Sequence, residues 1–202
     1  MVDFDCPACG AGAPLQVVAT DRITCGPCST ARSFRQGQLY VITGSPGTGK
    51  SSVGRELAAR LPLELVVLDS DLTSRPEHDS SEGAWFGFID TWLRTAVGVA
   101  QSGHSLILVG YSMPHQWEHQ ALRHFLGPIT YVALVCSDAE LERRLRQRTW
   151  MGSQRERDSL IDLNRQFRAH GDMTVIETDS QPPDAIADQI LSIVSSTSQP
   201  PR

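Results

Sequence analysis

The sequence predicts an α/β domain in which helices cover both faces of a five-stranded parallel sheet, preceded by a small cysteine-rich module. Three observations carry this prediction. Short apolar runs alternate with helical patterns from residue 38 onward, a glycine-rich loop joins the first run to a helix, and two cysteine pairs come before it. At 202 residues the chain suits one such domain plus an appendage. We therefore expect a module at 1–37, a main domain at 38–194 and a flexible tail at 195–202.

The N-terminal module contains four of the five cysteines, arranged as two C-x-x-C pairs that fifteen residues separate. These side chains are Cys6, Cys9, Cys25 and Cys28. The spacing is typical of a zinc ribbon, in which two tight turns aim four thiolates at one Zn²⁺. We expect Gly10 and Gly26 to supply the backbone freedom of these turns. Two disulfides are the alternative, which a reducing compartment disfavours.

Charge and hydropathy indicate the partners and the location of the chain. The formal net charge is -5, and residues 1–37 balance three aspartates with three arginines, so nucleic acid is a disfavoured partner and the module is expected to be structural or to contact protein. The N-terminus has neither a basic region nor an apolar stretch, and no apolar run reaches membrane-spanning length. We expect a cytoplasmic protein without membrane contact. Cys136 follows an apolar run and is expected to be buried rather than a fifth metal ligand.

A complete phosphate-binding loop of the pattern G-x-x-x-x-G-K-[ST] begins the main domain. Its members are Gly44, Ser45, Pro46, Gly47, Thr48, Gly49, Lys50 and Ser51, and Ser52 follows them. Lys50 is the only lysine of the chain, where a compact ammonium suits a phosphate. In a strand–loop–helix context the loop amides hold a nucleoside triphosphate, Lys50 reaches its β- and γ-phosphates, and the Ser51 hydroxyl binds Mg²⁺. We expect Ser52 to take part in the same nucleotide site.

The remaining elements follow from periodicity and from helix start and stop signals. The predicted strands are Leu39–Thr43, Leu63–Leu68, Ser105–Val109, Ile129–Val135 and Thr174–Glu177. The predicted helices are Lys50–Leu61, Glu82–Gln101, His115–Phe125, Asp138–Arg148, Asp158–Ala169 and Pro183–Val194. An aromatic stripe on the second helix, which includes Trp85, Phe88 and Trp92, predicts core packing, and a wall of the acceptor pocket is the alternative.

Two acidic residues follow the second predicted strand, at Asp69 and Asp71. An i, i+2 pair shares one face of an extended strand end, and ligands bind at the carboxyl ends of parallel strands. One carboxylate is expected to serve the Mg²⁺ shell, and the other to accept a proton from an attacking hydroxyl. A helix cap or a turn is the structural alternative.

Arginines on the fourth predicted helix are candidates for phosphate contact. Arg144 and Arg148 lie at i, i+4 on one helical face, and a predicted mobile segment at 150–157 adds Arg155 and Arg157. Phosphoryl transfer needs cations that close over the transferred group. A solvated charged face is the alternative, because glutamates are interleaved with these arginines.

Taken together, these motifs resemble a group of P-loop small-molecule kinases: the nucleoside-monophosphate, shikimate and gluconate kinases, with chloramphenicol-phosphotransferase-like enzymes. The resemblance rests on the loop at 44–51, the pair formed by Asp69 and Asp71, the L-x-x-R-L-x-x-R run at 141–148 and the turn at 177–180. It implies that the acid after the second strand contacts Mg²⁺ or the acceptor hydroxyl, that lid arginines contact phosphates, and that the turn containing Asp179 lies near the adenine. The third strand lacks an acidic end, so Asp69 has to serve the metal, and a zinc ribbon is not a usual part of this group.

The resemblance and the motifs predict an ATP- and Mg²⁺-dependent phosphotransferase that acts on a hydroxyl or a phosphate of a small molecule. Lys50, Asp69, Asp71, Arg144 and Arg148 are the predicted catalytic residues. Two alternatives remain at this stage: a kinase of nucleic-acid ends that uses the ribbon to grip the strand, and a regulatory module that binds a nucleotide without transfer. The sequence leaves the oligomeric state open.

Overall fold

The structure, a computed structural model, describes residues 5–12, 15–72, 82–148 and 153–197. These residues form two sheets, of which the first is antiparallel and the second parallel. The strands are β1 (Leu15–Ala19), β2 (Arg22–Cys25), β3 (Ala31–Ser33), β4 (Gly37–Thr43), β5 (Leu65–Asp69), β6 (Ser105–Val109), β7 (Leu126–Val135) and β8 (Thr174–Glu177). The α-helices are α1 (Lys50–Arg60), α2 (Glu82–Gln101), α3 (His115–Glu118), α4 (Asp138–Arg146), α5 (Gln154–Ala169) and α6 (Pro183–Thr197).

The parallel sheet has the strand order β5-β6-β4-β7-β8. All four of its pairings are parallel, so the carboxyl ends of β4, β5 and β6 meet at one edge. The loop at 44–49 leaves β4 at this edge, and the residues after β5 and β6 leave beside it. The predicted five-stranded parallel sheet is therefore confirmed, and its topology places the phosphate-binding loop next to the Asp69 pair.

Helices cover the two faces of this sheet with separate apolar cores. One core joins the sheet to α1 and α6, through residues such as Leu57 and Ile190. The other joins it to α2, α3 and α5, through residues such as Trp92, Trp117 and Phe167. The stripe predicted on α2 is largely buried, as core packing requires. Among the described residues, no helix is both long enough and apolar enough to span a membrane.

The bounds of several elements differ from those predicted. β5 begins at Leu65, because residues 63–64 form a turn that leaves Leu63 exposed. β7 begins at Leu126, three residues before the predicted start. The predicted helix at 115–125 is split into α3 and a 3-10 turn at Arg123–Phe125. Trp117 in α3 and Phe125 in the 3-10 turn are both buried, so the split leaves both side chains in the core.

The start of α5 corrects the predicted mobile segment at 150–157. The Ser153 hydroxyl caps the helix by accepting a hydrogen bond from the Glu156 amide, and the Ser153 amide donates to the Glu156 carboxylate. This reciprocal pair is a capping box, whose S-x-x-E pattern is visible in the sequence. Arg155 and Arg157 are therefore helical. Residues 149–152 lie outside the described residues. The segment from Ser74 to Gly83 lies between the acidic pair and α2, and its sequence makes it the expected place for acceptor specificity, but it lies outside the described residues up to position 81.

The antiparallel sheet lies beside the end of α2 and shares the apolar core on that face of the larger sheet. Ile23, Cys25 and Phe34 belong to the same apolar core as α2 and α3, and the ring of Phe34 lies 5.7 Å from that of Phe125. The Gln101 side chain, at the end of α2, accepts from the Arg35 amide and donates to the Arg35 carbonyl. The small module is thus held by both apolar and polar contacts.

Candidate active site

The phosphate-binding loop is shaped by its contacts with α4 and α5. Gly47 has a φ of 98°, and a Cβ there would lie 2.9 Å from the Leu141 side chain and 3.2 Å from that of Leu145. Only glycine therefore lets α4 approach the loop this closely. The Ser45 hydroxyl donates to the Leu160 carbonyl of α5 at 2.8 Å, and the Thr48 hydroxyl donates to the Ser45 carbonyl at 2.9 Å. Ser45 and Thr48 are fully buried, so they shape the loop.

A cavity of about 240 Å³ opens in front of this loop. Its lining contains residues from the loop, from α1 and from the segments that follow β5 and β6. They are Pro46, Gly47, Gly49, Lys50, Ser51, Ser52, Asp69, Asp71, Val109, Gly110, Tyr111 and Arg148. The structure therefore brings most of the predicted site residues into one space. Gly44, Ser45, Thr48, Arg144 and Asp179 are predicted site residues that do not line it.

Lys50 is the cation at the base of the cavity. Its ammonium donates to the Gly44 carbonyl at 2.8 Å and to the Ser45 carbonyl at 3.1 Å. Burial lowers the pKa of Lys50 to about 8, with a further lowering by Arg148, while the carboxylates of Asp71 and Asp69 oppose the shift. The ammonium is thus poorly solvated, and among the described residues no carboxylate lies within hydrogen-bond distance of it, which suits a site that receives phosphate charge.

Asp69 and Asp71 reach the cavity by a route that differs from the predicted one. Asp69 ends β5, but Asp71 lies in a 3-10 turn at Ser70–Leu72 rather than on the extended strand. The Asp71 amide donates to Oδ1 of Asp69 at 3.0 Å, which fixes the turn. Gly110 permits this turn, since a Cβ there would lie 1.8 Å from the Ser70 hydroxyl oxygen. Both Asp69 and Asp71 line the cavity. From the sequence, a turn is the alternative to a functional role, but here the turn itself brings Asp71 to the cavity.

The two arginines predicted on one helical face have separate positions. Arg148 follows α4 and lines the cavity. Arg144 donates to the Glu140 carboxylate at 2.6 Å, and to the hydroxyl and carbonyl of Thr178 at 3.0 and 2.8 Å. Arg144 therefore joins α4 to the turn after β8. A phosphate contact by Arg144 would require it to leave these partners.

Asp179, which the resemblance places near the adenine, accepts hydrogen bonds at the start of α4. Both of its carboxylate oxygens lie within 3.0 Å of the Ser137 amide, and Oδ1 also pairs with the Ser137 hydroxyl. Ser137 is the N-cap of α4, so Asp179 places negative charge at the positive end of that helix. Its nucleotide contact stays a prediction.

Two residues with oxygen ligands suitable for Mg²⁺ line the cavity. The Ser51 hydroxyl and the Asp69 carboxylate both face it, and Mg²⁺ is commonly held by one or two protein oxygens together with substrate phosphates. β6 ends in Val109, Gly110 and Tyr111 without an acidic residue, so among the described lining residues Asp69 and Asp71 are the two carboxylates. The donor set fits a magnesium ion.

Sequence reasoning missed Tyr111 and Gly110 as members of this cavity. Tyr111 is half-buried, and burial raises its pKa above the ordinary value. Its neighbour Ser112 is fixed by Thr43 at the end of β4, whose hydroxyl oxygen accepts from the Ser112 amide at 3.1 Å and donates to its carbonyl at 2.8 Å. The sequence signal that could have identified Gly110 and Tyr111 was their position directly after β6, since ligands bind at the carboxyl ends of strands in parallel sheets.

The four N-terminal cysteines meet at one point. Their sulfur atoms all lie within 4.8 Å of one another, with 3.6 Å between Cys6 and Cys28 and 3.8 Å between Cys9 and Cys25. A tetrahedral zinc site with Zn–S bonds of about 2.3 Å has sulfurs about 3.8 Å apart, so the thiols fit a zinc ion. None of them forms a disulfide.

The two cysteine turns have the same backbone pattern. In each, the first cysteine amide donates to a carbonyl five residues on, and its carbonyl accepts an amide four residues on. The left-handed residues are Gly10, with a φ of 69°, and Ser29, with a φ of 56°. The second turn therefore uses Ser29 and not Gly26, because the left-handed position is the residue directly after the second cysteine of each pair. Cys136 is fully buried after β7, as predicted.

Comparison with known proteins assigns the chain to a family. A family model described as an AAA domain matches residues 41–166, and the chain belongs to this family. A shikimate kinase of Synechococcus sp. (strain CC9605) is 28% identical over 193 residues, which cover 89% of this chain and 94% of that protein.

Solved structures share the same fold. The tunicamycin resistance protein of Deinococcus radiodurans has a TM-score of 0.59 at 19% identity, over 82% of this chain and 100% of that one. A shikimate kinase from Acinetobacter baumannii in complex with shikimate has a TM-score of 0.53 at 22% identity, over 82% of this chain and 96% of that one. The predicted α/β fold and the class of P-loop kinases are confirmed.

Proposed function

We propose that the protein transfers the γ-phosphoryl group of ATP to a hydroxyl group of a small molecule. The observation that carries this proposal is the shared cavity, in which the phosphate-binding loop and Lys50 face Asp69 and Asp71. The cavity therefore offers phosphate-binding cations together with two carboxylates. Relatives named for small-molecule substrates, such as the shikimate kinases, support the same reaction class.

In the proposed reaction, Asp71 accepts the proton of the acceptor hydroxyl. The acceptor oxygen then bonds to the γ-phosphorus, the bond from that phosphorus to the bridging oxygen breaks, and ADP leaves. Asp71 is suited to this role because the 3-10 turn carries it beyond the end of β5, and a positioned carboxylate can act as a general base.

Lys50 and Arg148 would balance the charge of the transferred group. Lys50 would exchange its hydrogen bonds to loop carbonyls for bonds to phosphate oxygens, and it would then regain the charge stabilisation that burial removes. Arg148 approaches from the end of α4. Cations on opposite sides of a phosphoryl group stabilise its transition state more than its ground state.

Ser51 and Asp69 would hold Mg²⁺ with the phosphates of the nucleotide. Magnesium in such a site neutralises phosphate charge and orients the leaving group. Asp69 is available for this because, in the described parts of the chain, only its Oδ1 accepts a hydrogen bond, from the Asp71 amide. Its Oδ2 has no hydrogen-bond partner among the described residues and can bind the metal. We further propose that Cys6, Cys9, Cys25 and Cys28 bind one structural Zn²⁺, and that the protein is cytoplasmic, where such thiols stay reduced.

Replacing Lys50 tests the proposed function. We expect Lys50→Ala to lower ATP-dependent phosphorylation by at least about 10²-fold with the fold retained, because it removes the compact cation of the phosphate site. Phosphorylated products are measured by mass spectrometry over a panel of hydroxylated small molecules with ATP and Mg²⁺. Arg60→Ala is the matched control, since Arg60 lies on the same helix but pairs with Glu56 and Asp188. Undiminished transfer by Lys50→Ala would refute the proposal.

A further inference from the structure

The side of the cavity opposite the phosphate-binding loop indicates what kind of acceptor it takes. We propose that the acceptor is a neutral molecule whose hydroxyl is attached to, or close to, an aromatic or heteroaromatic ring, and that Tyr111 is the residue that selects it. This inference rests on the proposed function and names the acceptor class for the same cavity.

Tyr111 is the cavity-lining member of a continuous group of aromatic rings. Its ring centroid lies 5.4 Å from that of Trp85, at an interplanar angle of 58°, and 6.0 Å from that of Phe167, at 89°. Trp85 in turn stacks on Phe88 at 5.0 Å, with 27° between the planes. These contacts fix the orientation of Tyr111 from two sides. A ring held in this way can stack on a flat ligand with little loss of side-chain entropy.

The polar groups of this wall suit a neutral ligand. Burial raises the pKa of Tyr111, so its hydroxyl stays protonated at neutral pH. This hydroxyl has no hydrogen-bond partner in the described parts of the chain, whereas Nε1 of Trp85 is buried and Trp85 does not line the cavity. The Tyr111 hydroxyl can donate a hydrogen bond to a ligand, and it carries no charge that would pair with a carboxylate.

Charge in the cavity disfavours an anionic acceptor. Its charged lining residues, within the described ranges, are Lys50, Arg148, Asp69 and Asp71. The two cations are needed for the phosphates of ATP, so the described lining residues include no third cation for a carboxylate or phosphate on the acceptor. An anionic acceptor beside Asp71 would also be repelled by the group that has to take its proton. A neutral alcohol avoids both costs.

The aromatic wall adjoins the position of the proposed base. Tyr111 and Asp71 line the same cavity, and the turn that presents Asp71 is fixed against Gly110. A ring stacked on Tyr111 would therefore lie next to Asp71. Its hydroxyl would give its proton to Asp71 and form the new bond to the γ-phosphorus, while ADP takes the electrons of the broken bond.

Binding measurements separate this inference from the proposed function. The full chain is saturated with Mg²⁺ and a non-hydrolysable ATP analogue, so that the nucleotide site is filled, and ligands are titrated by calorimetry. Thymidine and 2-phenylethanol are the neutral ring compounds, and shikimate and gluconate are the carboxylated ones. We expect the neutral compounds to bind more tightly than the acids. Tighter binding of either acid, or no binding of either ring compound, would overturn the inference.

Variants of Tyr111 test its role. Loss of one stacked ring typically weakens binding by about 2- to 10-fold. We therefore expect Tyr111→Leu, which keeps an apolar side chain, to weaken thymidine binding to this extent, and Tyr111→Phe to keep it. The affinity for the ATP analogue should stay within about 2-fold in both. Phe86→Ala is the control, because Phe86 is an exposed ring on the same helix as Trp85 that lies outside the cavity lining.

The outcomes of the two proposals are distinct. If thymidine binds through Tyr111 but no phosphorylated product forms with ATP and Mg²⁺, the phosphotransfer proposal fails and the acceptor class stands as a ligand class. If Tyr111→Leu and Phe86→Ala bind thymidine equally well, the assignment of Tyr111 is wrong, whatever the activity of the enzyme.

Discussion

The buried ammonium of Lys50 should make ATP binding depend on pH in a defined way. In the free protein, burial lowers the pKa of Lys50 from its ordinary value of 10.5 to about 8. Each pKa unit corresponds to about 1.4 kcal/mol, so the protein disfavours this charge by about 3 kcal/mol. Because the pKa is lowered, the ammonium is charged below pH 8 and progressively neutral above it. Triphosphate binding needs the charged form, so affinity should fall as the pH rises through about 8.

The magnitude follows from the charge that ATP brings. One phosphate charge about 4 Å from the ammonium stabilises it by about 4 kcal/mol at an effective dielectric constant of 20. This corresponds to an increase of about 3 in the pKa, which keeps Lys50 charged in the complex at pH 9. In the free protein at pH 9, a fraction of about 0.9 of the Lys50 side chains is deprotonated, so ATP binding should take up about 0.9 proton per chain at that pH. At pH 7 the uptake should be about 0.1 proton per chain.

Calorimetry in buffers of different ionisation enthalpy measures this uptake. The observed binding enthalpy changes linearly with the buffer enthalpy, and the slope is the number of protons taken up. Lys50→Arg is the matched control, because an arginine stays charged at both pH values. Equal proton uptake at pH 7 and pH 9 in the unaltered protein would refute the reasoning, and so would the same uptake in the arginine variant at pH 9.

Three other predictions follow from the same contacts. Asp71→Asn should lower the turnover number by about 10²–10⁴-fold with nearly unchanged nucleotide affinity, whereas Asp69→Asn should raise the Mg²⁺ concentration needed for half-maximal rate. Gly47→Ala should cost about 1–3 kcal/mol more in the free energy of unfolding than Gly49→Ala, because both glycines have a φ of 98° but only the Cβ at position 47 would meet Leu141. The four N-terminal cysteines should bind one zinc per chain, and its removal should lower the unfolding midpoint of the whole chain, because the cysteine module shares a core with α2.

Each of these predictions has a clear contrary result. A metal defect in Asp71→Asn but not in Asp69→Asn would exchange the two proposed roles, and unchanged rates in both would make the pair structural. Equal destabilisation in urea by the two glycine variants would show that α4 moves away from the loop at no cost. A chain that contains no zinc and has disulfides among these cysteines would contradict the metal assignment and the cytoplasmic location.

The parts of the site that local sequence determines were predictable. The glycine spacing of the phosphate-binding loop and the position of Lys50 follow from a strand, a tight turn and a helix that are contiguous in the chain. The cysteine spacing likewise predicted four sulfurs around one point, which the structure contains. Such features depend on contacts between residues that are close in sequence, so a single sequence is enough to find them.

The parts that depend on packing between distant segments were not predictable. The position of Tyr111 directly after β6 was a signal that it lies near the site, but no local pattern gives the packing of its ring against Trp85 and Phe167. Arg144 and Arg148 share a helical face in sequence, yet Thr178 engages Arg144 after the chain has passed through α5 and β8. The start of α5 is a different case, since its capping box was readable in the sequence and was overlooked.

The division of the core relates the cysteine module to the acceptor side of the cavity. Cys25 and Phe34 belong to the apolar core that also contains Phe88 and the partly buried Tyr111, whereas α1, which follows the phosphate-binding loop, belongs to the other core. The module also holds the end of α2 through Gln101, and the start of the same helix carries the aromatic wall. A structural change in the cysteine module can therefore affect the aromatic residues at the start of α2 through that helix and the shared core. It can affect α1 only through the sheet that separates the two cores. We accordingly expect the module to stabilise the acceptor side more than the nucleotide side, which gives a structural reason for its attachment to this kinase fold.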